Sequence, residues 1–302
     1  APDFVAYENA IKDAAILLGN PTATSLSDTI ATAHNKLVRK TYTATVNHIF
    51  NTGKTTVTES QTFESGSTVS FSPNSYPGYI LVSADGYTND TEAQVVTDRG
   101  SNLTQNYYYN AIQSTVTFDP REGTVNPSSS VVDYDKTYGD GSGGFPTPVR
   151  TGHSFQGWYT GPGGTGNQIL SGTKVTAVDN HTLYAKWKAH TYTVIYDGMG
   201  ADNGSMTPSS HTFGVAKNLN KNTFSKTGFA FTGWATSTGG GVTYQDEESV
   251  SDLTTVDNGS ITLYAVWVAQ QYEVQYVGNG ADGGSMANSF HTVGQSKKLS
   301  KN

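Results

Sequence analysis

From residue 41 the apolar and polar positions of the chain alternate with a period of two, the period that sends successive side chains to opposite faces of a strand. Tyr42-Thr-Ala-Thr-Val46 opens this regime. Strand-like runs continue through Asn110, with Pro77-Gly78-Tyr79 in their midst and Tyr107-Tyr-Tyr109 near their end. In Leu183-Tyr-Ala-Lys-Trp187 the same period puts Leu183, Ala185 and Trp187 on one face and Tyr184 and Lys186 on the other. Residues 1–40 follow a different rule. Val5, Ile11, Ala14, Ala15 and Leu18 recur at helical spacing and meet a stop signal at Gly19-Asn20-Pro21. Ser25-Leu-Ser-Asp28 opens a second predicted helix to Val38, with Leu26, Ile30, Ala33 and Leu37 as its apolar stripe. Helices joined by so short a loop lie antiparallel or continue as a kinked rod. The segment 1–40 therefore reads as an attachment or oligomerisation piece, followed by a β module at 41–112.

The alternation is organised into repeats. Tyr192-Thr-Val-Ile-Tyr196 reappears as Tyr272-Glu-Val-Gln-Tyr276, and the match runs on through Gly200-Ala-Asp-Asn-Gly-Ser-Met206 against Gly280-Ala-Asp-Gly-Gly-Ser-Met286. Upstream, Thr115-Val-Thr-Phe-Asp119 lines up with Thr193-Val-Ile-Tyr-Asp197. Gly152-His-Ser-Phe-Gln-Gly-Trp158 matches Gly228-Phe-Ala-Phe-Thr-Gly-Trp234, and Thr182-Leu-Tyr-Ala-Lys-Trp187 matches Thr262-Leu-Tyr-Ala-Val-Trp267. Two repeats therefore run over 113–189 and 190–269, and a third, at 270–302, stops before its own Gly-Trp and Leu-Tyr-Ala-x-Trp blocks. A piece that short usually needs a partner to fold, so either the natural chain continues beyond Asn302 or the exposed strand edge pairs with another chain; continuation is preferred because the match to the second repeat runs undiminished to the last residue.

These two motifs absorb all four tryptophans. Phe155 and Phe231 lie three residues ahead of Trp158 and Trp234, with a glycine between that lets the chain bend and the indole approach backbone. Phe155, Trp158, Leu183 and Trp187 are expected to form the core of one module, and Phe231, Trp234, Leu263 and Trp267 that of the next. An exposed tryptophan stacking on sugar rings is the competing reading. A sugar platform rarely recurs in every copy of a repeat, and the core reading is preferred.

The paired motifs resemble the Listeria–Bacteroides repeat, the internalin-type B repeat found in tandem on bacterial surface proteins. The resemblance covers about 190 of the 302 residues. It implies a mainly β chain of small β-grasp-like modules in an elongated array, on an extracellular stalk or adhesin, with no catalytic residues to transfer. Residues 41–112 resemble a mucin-binding-protein-type module, which also begins with a Tyr-x-Val strand and carries a central Gly-Tyr.

Composition narrows the functional classes. Charged residues make up 14% of the chain and its net charge is −7, so a phosphate backbone would be repelled and nucleic acid is a poor partner. No apolar run approaches the roughly 20 residues of a membrane-spanning helix. Cysteine is absent, which removes disulfide scaffolds, thiolate zinc sites and cysteine nucleophiles together. The chain begins Ala1-Pro2-Asp3 and reads as processed, trimmed or a fragment.

Several patterns mimic sites. Gly278-x-Gly-x-x-Gly283 fits the letter of a dinucleotide fingerprint, but no apolar helix follows it, and it reads as a hairpin turn. Asp133-x-Asp135 with Asp140 faintly suggests a calcium loop, yet Tyr138 stands at its glycine position and Gly144 at its final glutamate. The seven histidines form no H-E-x-x-H, and Asp246-Glu247-Glu248 is most simply a charged loop. The expectation is a chain with no catalytic, cofactor or metal site, acting through a protein or glycan surface partner outside a bacterial cell. The alternative is a virion or filament fibre anchored by its N-terminal helices, because Leu18-Gly-Asn-Pro-Thr and the helix after it look like linkers of phage fibres.

Overall fold

The structure, a computed structural model, describes Asp13 and residues 40–86, 91–97 and 100–301. Apart from Asp13, the two predicted N-terminal helices lie outside the described residues. The fold is mainly β, in several small sheets that follow one another along the chain. Its strands are rich in Val, Thr, Tyr and Phe, side chains that fit a pleated, half-buried surface.

Two compact units divide the chain. In the first, residues 41–112 supply β1 (Thr41–Phe50), β2 (Val57–Glu64), β3 (Thr68–Phe71), β4 (Tyr79–Gly86), β5 (Gln94–Thr97) and β6 (Leu103–Ala111). The main sheet has the order β2-β1-β6-β4, and β3 pairs with β5 alone. β1 runs antiparallel to β2 and parallel to β6, and β4 runs antiparallel to β6 with a bulge between Leu81 and Ser83. One core gathers Ala44, Phe63, Val69, Phe71 and Leu103, and a second gathers Phe50, Tyr79, Ala84, Tyr107, Tyr109 and Ala111. β7 (Gln113–Asp119) and β8 (Ser129–Asp133) follow as an antiparallel pair.

In the second unit β9 (His153–Tyr159) pairs antiparallel with β10 (Gln168–Ile169) and with β11 (His181–Ala189). The next stretch holds β12 (Thr191–Asp197), β13 (Ser209–Thr212), β14 (Lys217–Asn218), β15 (Phe229–Ala235), β16 (Ser249–Val250) and β17 (Gly259–Ala269). Here the order is β13-β12-β17-β15, with β14 and β16 as a separate pair. β12 runs antiparallel to β13 and parallel to β17, and β15 runs antiparallel to β17 with a bulge between Phe231 and Gly233. Strand for strand, this is the order and sense of the sheet at 41–112. The core of this repeat is Tyr192, Val194, Tyr196, Leu219, Trp234, Val250, Leu263 and Ala265.

β18 (Gln271–Val274) and β19 (Ser289–Thr292) repeat the β12–β13 pair in the same register. Among the described residues, β18 and β19 pair only with each other. Tyr272 is 49% exposed where its counterpart Tyr192 is 1% exposed, and Leu299 is 62% exposed where Leu219 is 2% exposed.

Candidate functional site

The residues singled out by the repeats sit on paired strands, and a bulge between Phe155 and Gly157 accompanies their three-residue spacing on β9. β9 carries Phe155 and Trp158, and β11 carries Leu183 and Trp187. Trp158 and Leu183 are fully buried, whereas Phe155 and Trp187 are half-buried. Phe155 bridges the two indoles edge-on, 5.4 Å from Trp158 and 5.6 Å from Trp187 between ring centroids. Phe118 lies 5.0 Å from Trp158 on another side. Each indole N–H donates to a loop carbonyl at 2.8 Å, Trp158 to Pro146 and Trp187 to Pro120. Lys186 points the other way, with its ammonium 5.2 Å above the Tyr159 ring.

The second repeat copies the arrangement. Trp234 on β15 and Leu263 on β17 are fully buried, while Phe231 and Trp267 are half-buried. Phe231 lies 5.0 Å from Trp234 and 5.7 Å from Trp267, both edge-on. Trp267 donates to Gly198 O at 2.8 Å, but the buried Nε1 of Trp234 has no partner. The glycine ahead of Trp234 has a role beyond bending the strand. Gly233 stands at φ 143°, and a Cβ there would sit 2.7 Å from the carbonyl oxygen of Tyr244. The glycine thus admits the neighbouring loop, which pairs with β15 through hydrogen bonds between Trp234 and Tyr244.

Three of the seven histidines, His48, His211 and His291, are buried, and the sequence pattern does not tell such core histidines from surface ones. His211 is 1% exposed and stacks on Tyr192 at 5.5 Å and 17°. Its Nε2 lies 2.9 Å from Ser209 Oγ, which is 3.0 Å from Tyr196 Oη, and that hydroxyl accepts the Asn220 N–H. Its Nδ1 is buried without a partner. Burial, and then the positive charge of Lys217, push its pKa below the ordinary 6.5. His291 repeats the stack on Tyr272 and the contact with Ser289. The first repeat has Ser114 opposite Val132 at this place. The one available signal was the Ser-x-His spacing of 209–211, repeated at 289–291. His48 is also fully buried, and burial lowers its pKa against an opposing pull from Glu59.

The mimics resolve into ordinary structure. Asp135 is held by Lys174 at 2.6 Å and by the Tyr79 hydroxyl, with Lys174 first in keeping its carboxyl below the usual range. Asp140 accepts the backbone and side-chain donors of Thr137, and Asp133 accepts from Gln113. Gly278 accepts the N–H of Ala281 in a turn. Glu248 caps the N–H of Gln245, and Asp246 accepts from Asn222. Among the described residues no three His, Asp or Glu side chains are placed to hold a metal, and no helix is long and apolar enough to cross a membrane. Two surface hollows, of about 350 Å³ beside Glu122 and Arg150 and about 210 Å³ beside Glu59 and Asn74, involve none of the repeat tryptophans.

Comparison with known proteins follows the repeats. The profile of the Listeria-Bacteroides repeat domain matches residues 115–186 and 192–266. Two proteins of Evansella cellulosilytica, provisionally named a Gly-rich membrane protein and a membrane protein, are 32% identical over 139 residues and 29% identical over 202 residues. These alignments take in 43% and 65% of this chain, which spans only 16% and 26% of the length of those relatives. Among solved structures, the type 2 repeat of the mucus binding protein MUB from Lactobacillus reuteri aligns over 76% of this chain and 100% of its own. Its identity is 11% and its TM-score 0.26, too low to bear on fold or ligand. The paired Gly-Trp and Leu-Tyr-Ala-x-Trp strands, the repeated indole contacts and the profile agree, and residues 115–186 and 192–266 are two tandem members of the Listeria–Bacteroides repeat family.

Proposed function

We propose that this chain belongs to a non-enzymatic protein of the bacterial cell surface. Its tandem β modules, at 41–112, 113–189, 190–269 and from 270 onward, would space or display a contact surface for a protein or glycan partner outside the cell. One observation carries the reading. The side chains that recur between repeats go into packing, as with the fully buried Trp158 and Leu183 against Trp234 and Leu263. A repeated unit whose shared aromatic and aliphatic residues serve its packing suits a spacer or a binding surface. Two relatives named as membrane proteins fit an envelope-associated setting.

The test is antibody labelling of intact cells that make the protein, with antibodies raised against residues 115–266. Labelling without permeabilisation, and its loss on treatment with external protease, is the expected result. Labelling only after the cells are opened would contradict the proposal.

A further inference from the structure

Among the described residues one local arrangement occurs three times. Each begins with a tight turn closed by an N–H to C=O hydrogen bond, from Tyr79 to Tyr76, from His153 to Arg150 and from Phe229 to Lys226. The third residue of each turn is a glycine with positive φ, Gly78 at 80°, Gly152 at 66° and Gly228 at 77°. This is the position at which a type II turn demands glycine. The glycine carbonyl then accepts an N–H from the residue linking two modules, Ile112 at 2.8 Å, His190 at 2.9 Å and Gln270 at 2.8 Å. The linking residue's own carbonyl accepts an N–H from the following module, from Tyr134 at 3.0 Å, Phe213 at 2.9 Å and Val293 at 3.0 Å. The side chain of that last residue occupies the space a Cβ on the glycine would need. In the first two arrangements the residue after the glycine meets that ring edge-on, Tyr79 against Tyr134 at 5.6 Å and His153 against Phe213 at 5.9 Å.

The first arrangement joins residues 41–112, which the family profile does not reach, to the first repeat. Its presence there agrees with the sheet. β2-β1-β6-β4 matches β13-β12-β17-β15 in order, in sense and in the position of the bulge. The registers equate Tyr42 opposite Phe63 with Tyr192 opposite His211, and Ala84 opposite Tyr107 with Trp234 opposite Ala265. The large and small members of the second pair have changed strands. That exchange keeps a large aromatic facing an alanine while erasing the Gly-Trp and Leu-Tyr-Ala-x-Trp signatures. Even the entry to this module keeps half of the relay, since Ser65 N–H donates to Lys40 O at 2.9 Å, as Phe213 does to His190.

We propose that residues 41–112 are a divergent copy of the same repeat, and that the glycine socket is the docking site through which each module seats the one that follows it. The partner it fits is a module presenting an aromatic or β-branched residue directly after its second strand, one backbone hydrogen bond from the linker. The socket is read by shape, because any side chain on the glycine removes the room the ring occupies. Its consequence is a fixed angle between successive modules rather than a free hinge.

The absence of cysteine makes the test direct, because spin labels can be placed on introduced pairs in the full chain. Gln156→Cys with Thr238→Cys spans the joint at Gly152, and Thr62→Cys with Ser129→Cys spans the joint at Gly78; all four positions are exposed. The parent chain should give a narrow distance distribution for each pair. Phe213→Ala and Gly152→Ala should broaden the first, and Tyr134→Ala the second. Gly163→Ala, a positive-φ position with open space around it, should broaden neither. Phe213 is half-buried, so Phe213→Ala reads the joint even if Gly152→Ala fails to fold. Distributions unchanged by Phe213→Ala would overturn the docking site. Broadening at Phe213 with none at Tyr134 would overturn the assignment of 41–112 as a copy.

Discussion

A buried histidine shows how a single position can differ between modules that otherwise share a plan. His211 lies against Tyr192 in the second repeat, where the first repeat has Val132 opposite Ser114. Its neutral ring is tolerated because Nε2 meets the Ser209 hydroxyl, but Nδ1 faces a buried space with no acceptor for a second proton. The groups around it are the Tyr192 and Tyr196 phenols and the Lys217 cation, none of which would offset an imidazolium. Its pKa is therefore depressed in the folded state, and the stability at stake is fully present above the unfolded value of 6.5. As pH falls below that value the unfolded chain takes up a proton that the folded repeat resists, and stability declines. Hydrogen exchange at Val194 and Tyr196 on β12 should accelerate as pH is lowered from neutrality, beyond the intrinsic change in exchange chemistry. In His211→Val, which installs the side chain that the first repeat carries at Val132, that acceleration should vanish. An equal acceleration in the variant would place the acid sensitivity elsewhere. The indoles carry a similar lesson, since Trp158 donates to Pro146 while Trp234, in the same packing, has no acceptor.

At the scale of strands, the pairing of β4 with β6 and of β15 with β17 is one design with two fillings. Trp234 faces Ala265, Trp158 faces Ala185, and Ala84 faces Tyr107. Putting a tryptophan at Ala84 alone overfills a packed site, typically at a cost of about 1–3 kcal/mol. Cutting Tyr107 to alanine alone leaves a cavity, and large aromatic truncations cost about 3–5 kcal/mol. Each change should relieve the other, because the two side chains compete for one volume. The double variant Ala84→Trp with Tyr107→Ala should therefore lose much less stability in urea denaturation than the sum of the single variants. Strict additivity would show that the two positions do not share a filled space. This exchange also explains what was legible in the sequence. Alternation in Leu183-Tyr-Ala-Lys-Trp187 reveals a strand and its inward face, because burial selects every second residue. Periodicity could not show that Ala84 and Tyr107 repeat the Trp234–Ala265 pair, since cross-strand register lies outside any local pattern. The sockets escaped for the same reason. Glycine before Tyr79, His153 or Phe229 looks like an ordinary turn until the next module's side chain is seen over it.

For the whole molecule, the function proposed above rests on packed interiors and module surfaces, and on no single ionisable group. The carboxylates that mimic sites are occupied as caps and ion pairs, as with Asp135 on Lys174, Asp140 on Thr137 and Glu248 on Gln245. The repeats themselves are the family members, and their relatives extend far beyond the length spanned here. The most direct measurement compares the attachment of cells displaying the protein to a glycoprotein-coated surface, with and without residues 115–266. Attachment should fall when the two repeats are removed in frame, and persist when Glu247 and Glu248 are both replaced by glutamine. Attachment that survives loss of both repeats, or that is abolished by the two glutamine substitutions in a folded chain, would contradict the proposed function.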